Sequence, residues 1–211
     1  MLYRMKPQQD TKPTQDQFGF YLKWWKQLSP AWKKAYNEVL LKRSSEEELP
    51  EPMLLQIHFA PALRFAGPSA PYPNMSFELN DLSGIAALQK LEILVATHQN
   101  IDNLSIVAQL PQLKSLFVNN NRISSLNGVE AIHGLQELYI NFNNVSSLKP
   151  LESLTQLHTV YCNYNYLNSL EGIGEQHAQN MKQFFCMPNE GLSDALCLKF
   201  ENQFGIRCKK G

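Results

Sequence analysis

Apolar and polar positions repeat through the middle of the chain with a period of 22 residues, marked by Leu91, Leu113, Leu135 and Leu157. In each unit a short segment alternates apolar and polar residues, which predicts a β-strand with one buried face. The rest of the unit has an apolar residue at every third position, as in the run from Ile123 through Leu126 to Val129. That spacing favours 3₁₀-like turns, in which residues i and i+3 eclipse, over α-helix.

The second half of each unit also contains residues that oppose a regular helix. Gly128, Pro150 and Gly172 occupy the same position in successive units. One strand per unit predicts a parallel sheet, and no unit can bury its own leucines unless its neighbours stack on it. We therefore predict an α/β solenoid with about five or six parallel strands on a concave face and an irregular, 3₁₀-like convex side.

The chain outside the repeats predicts a helical cap at each end of the solenoid. Ser29-Pro30 and Ser193-Asp194 are typical of helix starts, with a capping hydroxyl before the first turn. The segment Ala62–Ala66 is a candidate for an additional strand ahead of the regular units. The predicted divisions are a flexible N-terminus at 1–16, a helical cap at 17–60, the solenoid at 61–190 and a C-terminal helical cap at 191–211.

An amide side chain recurs where each strand ends and the chain turns inward. A carboxamide offers two donors and an acceptor, so it can pair with backbone groups that the turn leaves free. We assign a structural ladder to Asn121, Asn143, Asn165 and Asn189. Gln99 stands at this position in an earlier unit, which predicts a looser turn there.

Each unit thus reads L-x-x-L-x-L-x-x-N-x-L-x-x-L, and this motif resembles the leucine-rich repeat. The 22-residue form is similar to that of internalins and of a eukaryotic relative that regulates a phosphatase. The tryptophan-rich helix ahead of the repeats is similar to that of bacterial cytosolic members. The resemblance spans residues 79–189 and suggests two narrower roles, a regulatory subunit that grips an enzyme or an effector directed at a host cell.

The outward side of the predicted strands carries aromatic residues where a sheet packed on one face usually carries polar ones. Several aromatic side chains in line present enough area to form an interaction site. The candidate partner-binding residues are Val95, Phe117, Asn119, Tyr139, Asn141, Phe142, Tyr161, Asn163, Tyr164 and Phe185. We interpret the chain as a non-catalytic module that binds a protein or peptide. The alternatives are that the rings only stack on one another or that the N-terminal segment covers them.

Composition narrows the classes of partner. The 211 residues include 19 Lys and Arg against 19 Asp and Glu, and this zero net charge argues against nucleic acid or an acidic membrane as the main partner. No apolar run is long enough to span a bilayer, and residues 1–10 contain no apolar signal core. We predict a cytoplasmic protein without membrane insertion, with secretion by a signal-independent route as the alternative.

The residues with reactive side chains predict no catalytic site, cofactor or metal. No nucleotide-binding or nucleophile motif is present, and the five histidines have no metal-ligand spacing. Cys162 and Cys186 are expected to be buried small hydrophobes, and Cys197 and Cys208 to face the core of the C-terminal cap.

Two alternatives involve the N-terminal region. One is an enzyme with its site around Trp24, Trp25, His58 and Arg64, which a deep pocket with convergent polar groups would favour. The other is a homodimer formed through the N-terminal aromatic residues.

Overall fold

A computed structural model describes residues 15–211, with side chains described from Gly19 onward. The predicted flexible segment at 1–16 lies outside the described residues, except that 15 and 16 begin the first helix. The helices are α1 (Gln15–Gln27), α2 (Pro30–Leu41), α3 (Glu51–His58), α4 (Glu175–Ala178) and α5 (Asp194–Phe204). The strands are β1 (Ala62–Ala66), β2 (Ile93–Thr97), β3 (Ser115–Phe117), β4 (Glu137–Tyr139), β5 (Thr159–Tyr161), β6 (Gln183–Met187) and β7 (Cys208–Lys210).

The strands form one parallel sheet in sequence order from β1 to β7. The repeat period sets its register, because Leu94, Leu116 and Leu138 pair directly across β2, β3 and β4. The predicted strand at Ala62–Ala66 is present as β1. The sheet has seven strands, one more than the upper end of the predicted five or six, because the chain returns to the sheet after α5 and adds β7.

The inward side chains form one continuous core, and the convex side consists of 3₁₀ turns as predicted. These turns are Ser83–Ile85, Ser105–Gln109, Val129–Ala131 and Lys149–Leu151. Gly172 has φ +108°, and a β-carbon there would lie 2.0 Å from the carbonyl oxygen of Leu148. This position therefore accepts only glycine, both for its backbone conformation and for its close approach to the preceding unit.

Amide side chains tie successive units together. Oδ1 of Asn143 accepts from the Ile123 amide at 3.0 Å, and Nδ2 donates to the carbonyls of Val118 and Ile140 at 2.9 and 3.0 Å. Equivalent bonds recur along the ladder at Asn121, Asn165 and Asn189. The carbonyls of Val118 and Ile140 each accept from two successive asparagines, so the ladder joins neighbouring units through shared acceptors, while each side-chain oxygen pairs a buried amide.

Gln99 makes the same kind of bonds with its longer side chain. Its Oε1 accepts from the Leu79 amide at 2.6 Å and its Nε2 donates to the Phe65 carbonyl at 3.2 Å. The expectation of a looser turn at this residue is wrong, because the extra methylene still reaches both partners across a longer connection.

The N-terminal cap is an aromatic core packed on β1. Trp32 and Tyr36 of α2 are fully buried, with ring centroids 5.1 and 5.5 Å from that of Phe65. The Trp32 indole donates to Asp81 at 3.0 Å, and its ring packs where a β-carbon on Gly84 would be only 2.0 Å away. A third helix, α3, which the sequence analysis did not separate from the hairpin, completes this cap.

The C-terminal cap is built on α5. The Ser193 hydroxyl accepts from the Leu196 amide at 3.2 Å, so the predicted helix start is present. The helix buries Cys197 and Phe200 against the last repeat and ends at Gly205, which has φ +70°. Among the described helices, none combines the length and hydropathy needed to cross a bilayer.

Candidate partner-binding face

Four outward rings form a stack along the concave face, which we call the aromatic ladder: Phe117, Tyr139, Tyr161 and Phe185. The pairing of β3 to β6 places these residues directly beside one another. Their successive centroids are 4.4, 4.6 and 4.3 Å apart, with interplanar angles of 19, 14 and 15°. Identical positions on adjacent parallel strands are separated by about 4.8 Å, so the register itself brings the rings face to face.

The ladder presents ring edges rather than ring faces to solvent, since each face is covered by the next ring. All four residues are half-buried, as is Val95 beside Phe117. The Tyr161 hydroxyl donates to Gln183 Oε1 at 3.1 Å. Burial, with smaller contributions from Glu137 and Tyr161, raises the pKa of Tyr139.

A second stack lies just beyond the strands. The rings of Phe142 and Tyr164, which we call the outer pair, are 4.4 Å apart and nearly parallel at 8°. Each is 45% exposed. Both residues adopt positive φ, 57° and 54°, as do His98 and Asn120 at the same position of earlier units. This left-handed conformation favours glycine or asparagine and is unusual for a bulky side chain.

Tyr166 adds a third exposed aromatic residue near the outer pair along the chain. It is 62% exposed and was not among the predicted site residues. In the preceding units the residue directly after the Gln or Asn of the structural amide ladder is polar: Asn100, Arg122 and Asn144. The change to tyrosine at this position is the sequence signal that the analysis missed.

The three predicted asparagines do not all reach the surface. Asn119 and Asn141 are half-buried, whereas Asn163 is buried and its Oδ1 finds no hydrogen-bond partner within residues 15–211. Gly211 lies beside Asn163, where an added β-carbon would be 3.1 Å from Nδ2. The chain end thus covers this part of the face, and the expectation that Asn163 is available to a partner is wrong.

The C-terminal strand also closes one end of the ladder. The ammonium of Lys209 lies 5.4 Å from the Phe185 ring centroid, within the range of a cation–π contact. At the other end, the described N-terminal helices pack against β1 through Trp32 and Tyr36. The ladder between these ends is half-buried, and the described N-terminal helices lie on β1; the alternative in which the N-terminal segment covers the rings stays a prediction for the residues before 15.

The residues of the enzyme alternative do not converge on one pocket. His58 is buried among aromatic rings, 4.2 Å from Tyr21 and 4.5 Å from Trp24, and burial lowers its pKa to about 4. Trp25 is also buried, while Arg64 lies on β1 and donates to the Tyr72 carbonyl. The cleft beside the cap is lined by Trp24 but by neither His58 nor Arg64.

Cys162 and Cys186 are buried, as predicted, but three of the four cysteines form a cluster that the sequence analysis did not predict. All four are free thiols, and the Sγ atoms of Cys186, Cys197 and Cys208 lie within 4.8 Å of one another. Hydrogen bonds from Cys186 and then Cys197, opposed by burial, lower the pKa of Cys208. No local spacing in the sequence predicts this cluster, because it depends on how α5 and β7 return to the sheet.

Comparisons with known proteins agree with this architecture. A family model described as two copies of leucine-rich repeats matches residues 133–175. An internalin of Listeria monocytogenes is 29% identical, with a TM-score of 0.50 over 54% of this chain and 33% of the internalin. A leucine-rich repeat protein of Leptospira interrogans is 19% identical, with a TM-score of 0.60 over 79% of this chain and 41% of that protein. A comparison with curated protein sequences finds no match.

The chain therefore spans well under half the length of these two solved structures. Leucine-rich repeats in general mediate binding between proteins. From its 22-residue units, its parallel sheet with 3₁₀ turns on the convex side and these similarities, the chain has the leucine-rich repeat fold and is similar to internalins.

Proposed function

We propose that this chain is a non-catalytic module that binds a protein or peptide on its concave face. The observation that carries the proposal is the outer pair. Phe142 and Tyr164 hold large, half-exposed rings at backbone positions where asparagine or glycine would be less strained. Strain of this kind, of about 1–3 kcal/mol per residue, is typical of functional sites.

The chemistry of the face supports a largely uncharged partner segment. The charged groups in register with these residues are Arg64 beside Val95, Glu137, which accepts from the Ser115 hydroxyl at 2.8 Å, and Lys209 at the end of the ladder. Ring edges and tyrosine hydroxyls contact apolar groups and carbonyls at little cost in side-chain entropy. We assign the contact surface to Val95, Phe117, Asn119, Tyr139, Asn141, Phe142, Tyr161, Tyr164, Tyr166 and Phe185.

Stacking alone explains the aromatic ladder, but it does not explain every exposed aromatic residue near it. Each stacked pair contributes about 0.5–1.5 kcal/mol beyond its buried area, which is reason enough for a ladder to exist. It gives no reason for Tyr166, which is 62% exposed. The two interpretations are compatible, because rings that stack on their faces still present their edges to a partner.

The test is a selection of peptides from a displayed library with the full chain as bait, followed by binding measurements on a double variant. Phe142→Asn with Tyr164→Asn removes both rings and places a residue that tolerates positive φ, so folding is expected to be unchanged within about 1 kcal/mol. Peptide affinity is expected to fall at least about tenfold. The control Leu198→Ala removes an exposed side chain of α5 and should bind like wild type. Equal affinity of the double variant and wild type would contradict the proposal.

Two narrower roles are part of this proposal, a regulatory subunit that holds an enzyme and an effector that engages a host protein. Both place the partner against the same face, so identification of a protein captured by wild type and lost by the double variant separates them. We further propose a reducing, cytoplasmic setting, which the four free thiols support.

Fewer N-terminal aromatic residues are available for self-association than the sequence suggested. Trp24, Trp25 and Trp32 are buried in the cap, while Phe20 and Phe59 are each 56% exposed. A dimer by this route therefore depends on these two rings. Light scattering on Phe20→Ser with Phe59→Ser tests it: a wild-type dimer that becomes a monomer in the variant supports the route.

A further inference from the structure

We propose that Cys186, Cys197 and Cys208 form a binding site for one thiophilic metal ion, Zn²⁺ or Cu⁺, in the C-terminal cap. The three residues come from separate elements, β6, α5 and β7. Their sulfur atoms all lie within 4.8 Å of one another. This site is independent of the concave face and of the partner proposed for it.

The geometry is close to what a metal ion requires. With all three separations at or below 4.8 Å, a point exists no more than about 2.8 Å from every sulfur. Metal–thiolate bonds are about 2.3 Å long, so each sulfur has to move inward by at most about 0.5 Å. Rotation about χ1 of the three cysteines supplies a movement of that size without a change in the backbone.

The composition of the core indicates that packing alone does not account for the sulfur. The inward position filled by Cys162 and Cys186 is occupied by Ala96, Val118 and Ile140 in the preceding units. The change from aliphatic residues to cysteine occurs where α5 brings Cys197 against the sheet. Thiols are weak hydrogen-bond donors, so a cluster of three gains little from its own contacts, whereas thiolates select soft metal ions.

The chemistry of binding is an exchange of protons for the ion. The bound form has three metal–sulfur bonds, and the S–H protons of the cysteines that are still protonated pass to solvent. Cys208 is the least buried of the three, which gives the ion a path from solvent. Zn²⁺ would hold a water molecule as its fourth ligand, while Cu⁺ is satisfied by the three thiolates.

The site would fasten the end of the chain. Cys208 begins β7, and the next residue, Lys209, lies over the Phe185 ring. A bound ion would join β7 to α5 and β6 through metal–sulfur bonds, in addition to the three-residue pairing of β7 with β6. We therefore expect metal binding to raise the melting temperature.

The experiment uses the full chain, reduced and freed of metal with a chelator. Zn²⁺ and Cu⁺ are titrated in separate arms against a chromophoric chelator, the Cu⁺ arm without air. We expect one ion per chain in at least one arm. Cys208→Val should weaken binding more than about 100-fold, since even the loss of a supporting contact to a ligand costs 10–100-fold. Cys162→Val is the matched control, a buried cysteine outside the cluster, and should bind like wild type.

Three results would overturn the proposal: wild type that fails to compete for either ion, binding that survives Cys208→Val, or binding lost equally in Cys162→Val. Thermal denaturation shows whether each variant is folded. If Cys208→Val does not fold, Cys197→Ser replaces it, because Cys197 lies on a helix and serine fits the same volume.

Discussion

The ring of Phe142 lies 4.4 Å from that of Tyr164 and nearly parallel to it, although both residues have the left-handed backbone conformation. The turn that ends each strand imposes this conformation, since His98 and Asn120 share it in earlier units. Two aromatic rings are thus maintained on the rim of the concave face against the preference of their own backbone.

The backbone strain at Phe142 can be measured with two truncations. Phe142→Ala and Phe142→Gly both lose the stack with Tyr164, but only glycine accepts positive φ freely. We expect the glycine variant to be more stable than the alanine variant by about 1 kcal/mol, measured by urea denaturation. At Tyr139, which lies in a strand, the order should be reversed. Alanine above glycine at both positions would contradict the assignment of strain to Phe142.

The aromatic ladder contributes to stability through its stacking. Tyr139→Ala removes two stacked pairs, with Phe117 and with Tyr161, and we expect a loss of about 1–3 kcal/mol in the free energy of unfolding. Tyr139→Phe keeps both stacks and should lie within about 0.5 kcal/mol of wild type. A loss as large in Tyr139→Phe would mean that the hydroxyl, and not the ring, carries the effect.

The ladder of structural asparagines predicts a large loss of folding stability from a single substitution. Asn143→Ala leaves the Ile123 amide without a partner inside the core. The Val118 and Ile140 carbonyls each lose one donor but keep a second, from Asn121 and Asn165. An unpaired buried amide costs about 1–3 kcal/mol and each lost hydrogen bond about 0.5–1.5 kcal/mol, so we expect a loss of at least about 2 kcal/mol in denaturant unfolding. Asn144→Ala removes the next, exposed amide and is the control. Similar stability of the two variants would show that the ladder bonds are weak.

Two glycines with positive φ, Gly172 on the convex side and Gly205 at the end of α5, give a matched pair of alanine substitutions. Gly172→Ala places a β-carbon 2.0 Å from the Leu148 carbonyl oxygen, whereas Gly205→Ala, also at positive φ, meets no atom within 4 Å. We expect a loss of about 1 kcal/mol for Gly205→Ala and clearly more than about 2 kcal/mol for Gly172→Ala. Equal losses in thermal unfolding would mean that the units are less closely stacked than described.

Stability should depend on pH through His58. Burial lowers its pKa from about 6.5 to about 4 in the folded chain, so the unfolded chain takes up the proton first. The contribution of this group is complete above about pH 6.5 and is lost as the pH falls toward 4, by about 2 kcal/mol between pH 7 and 4.5. His58→Gln should show a correspondingly flatter dependence. An unchanged slope in the variant would place the acid sensitivity elsewhere.

The repeat period determined most of what the sequence predicted correctly. The spacing of leucines fixes strand, register and core together, so the ladder of Phe117 and Tyr139 follows from the 22-residue period. The ends were less predictable, because they depend on contacts between distant segments. Gly211, which is distant in sequence, lies beside the buried Asn163, and β7 has no apolar alternation of its own. Cys197 meets Cys186 for the same reason, through the packing of α5.

The central claim is that a partner binds against the concave aromatic residues, and cross-linking tests it most directly. A photoreactive phenylalanine derivative is placed at position 164 in one sample and at position 198, on the exposed side of α5, in another. With the highest-affinity selected peptide, we expect cross-linking from position 164, lost on competition with unlabelled peptide, and none from position 198. Cross-linking from position 198 and none from position 164 would contradict the account.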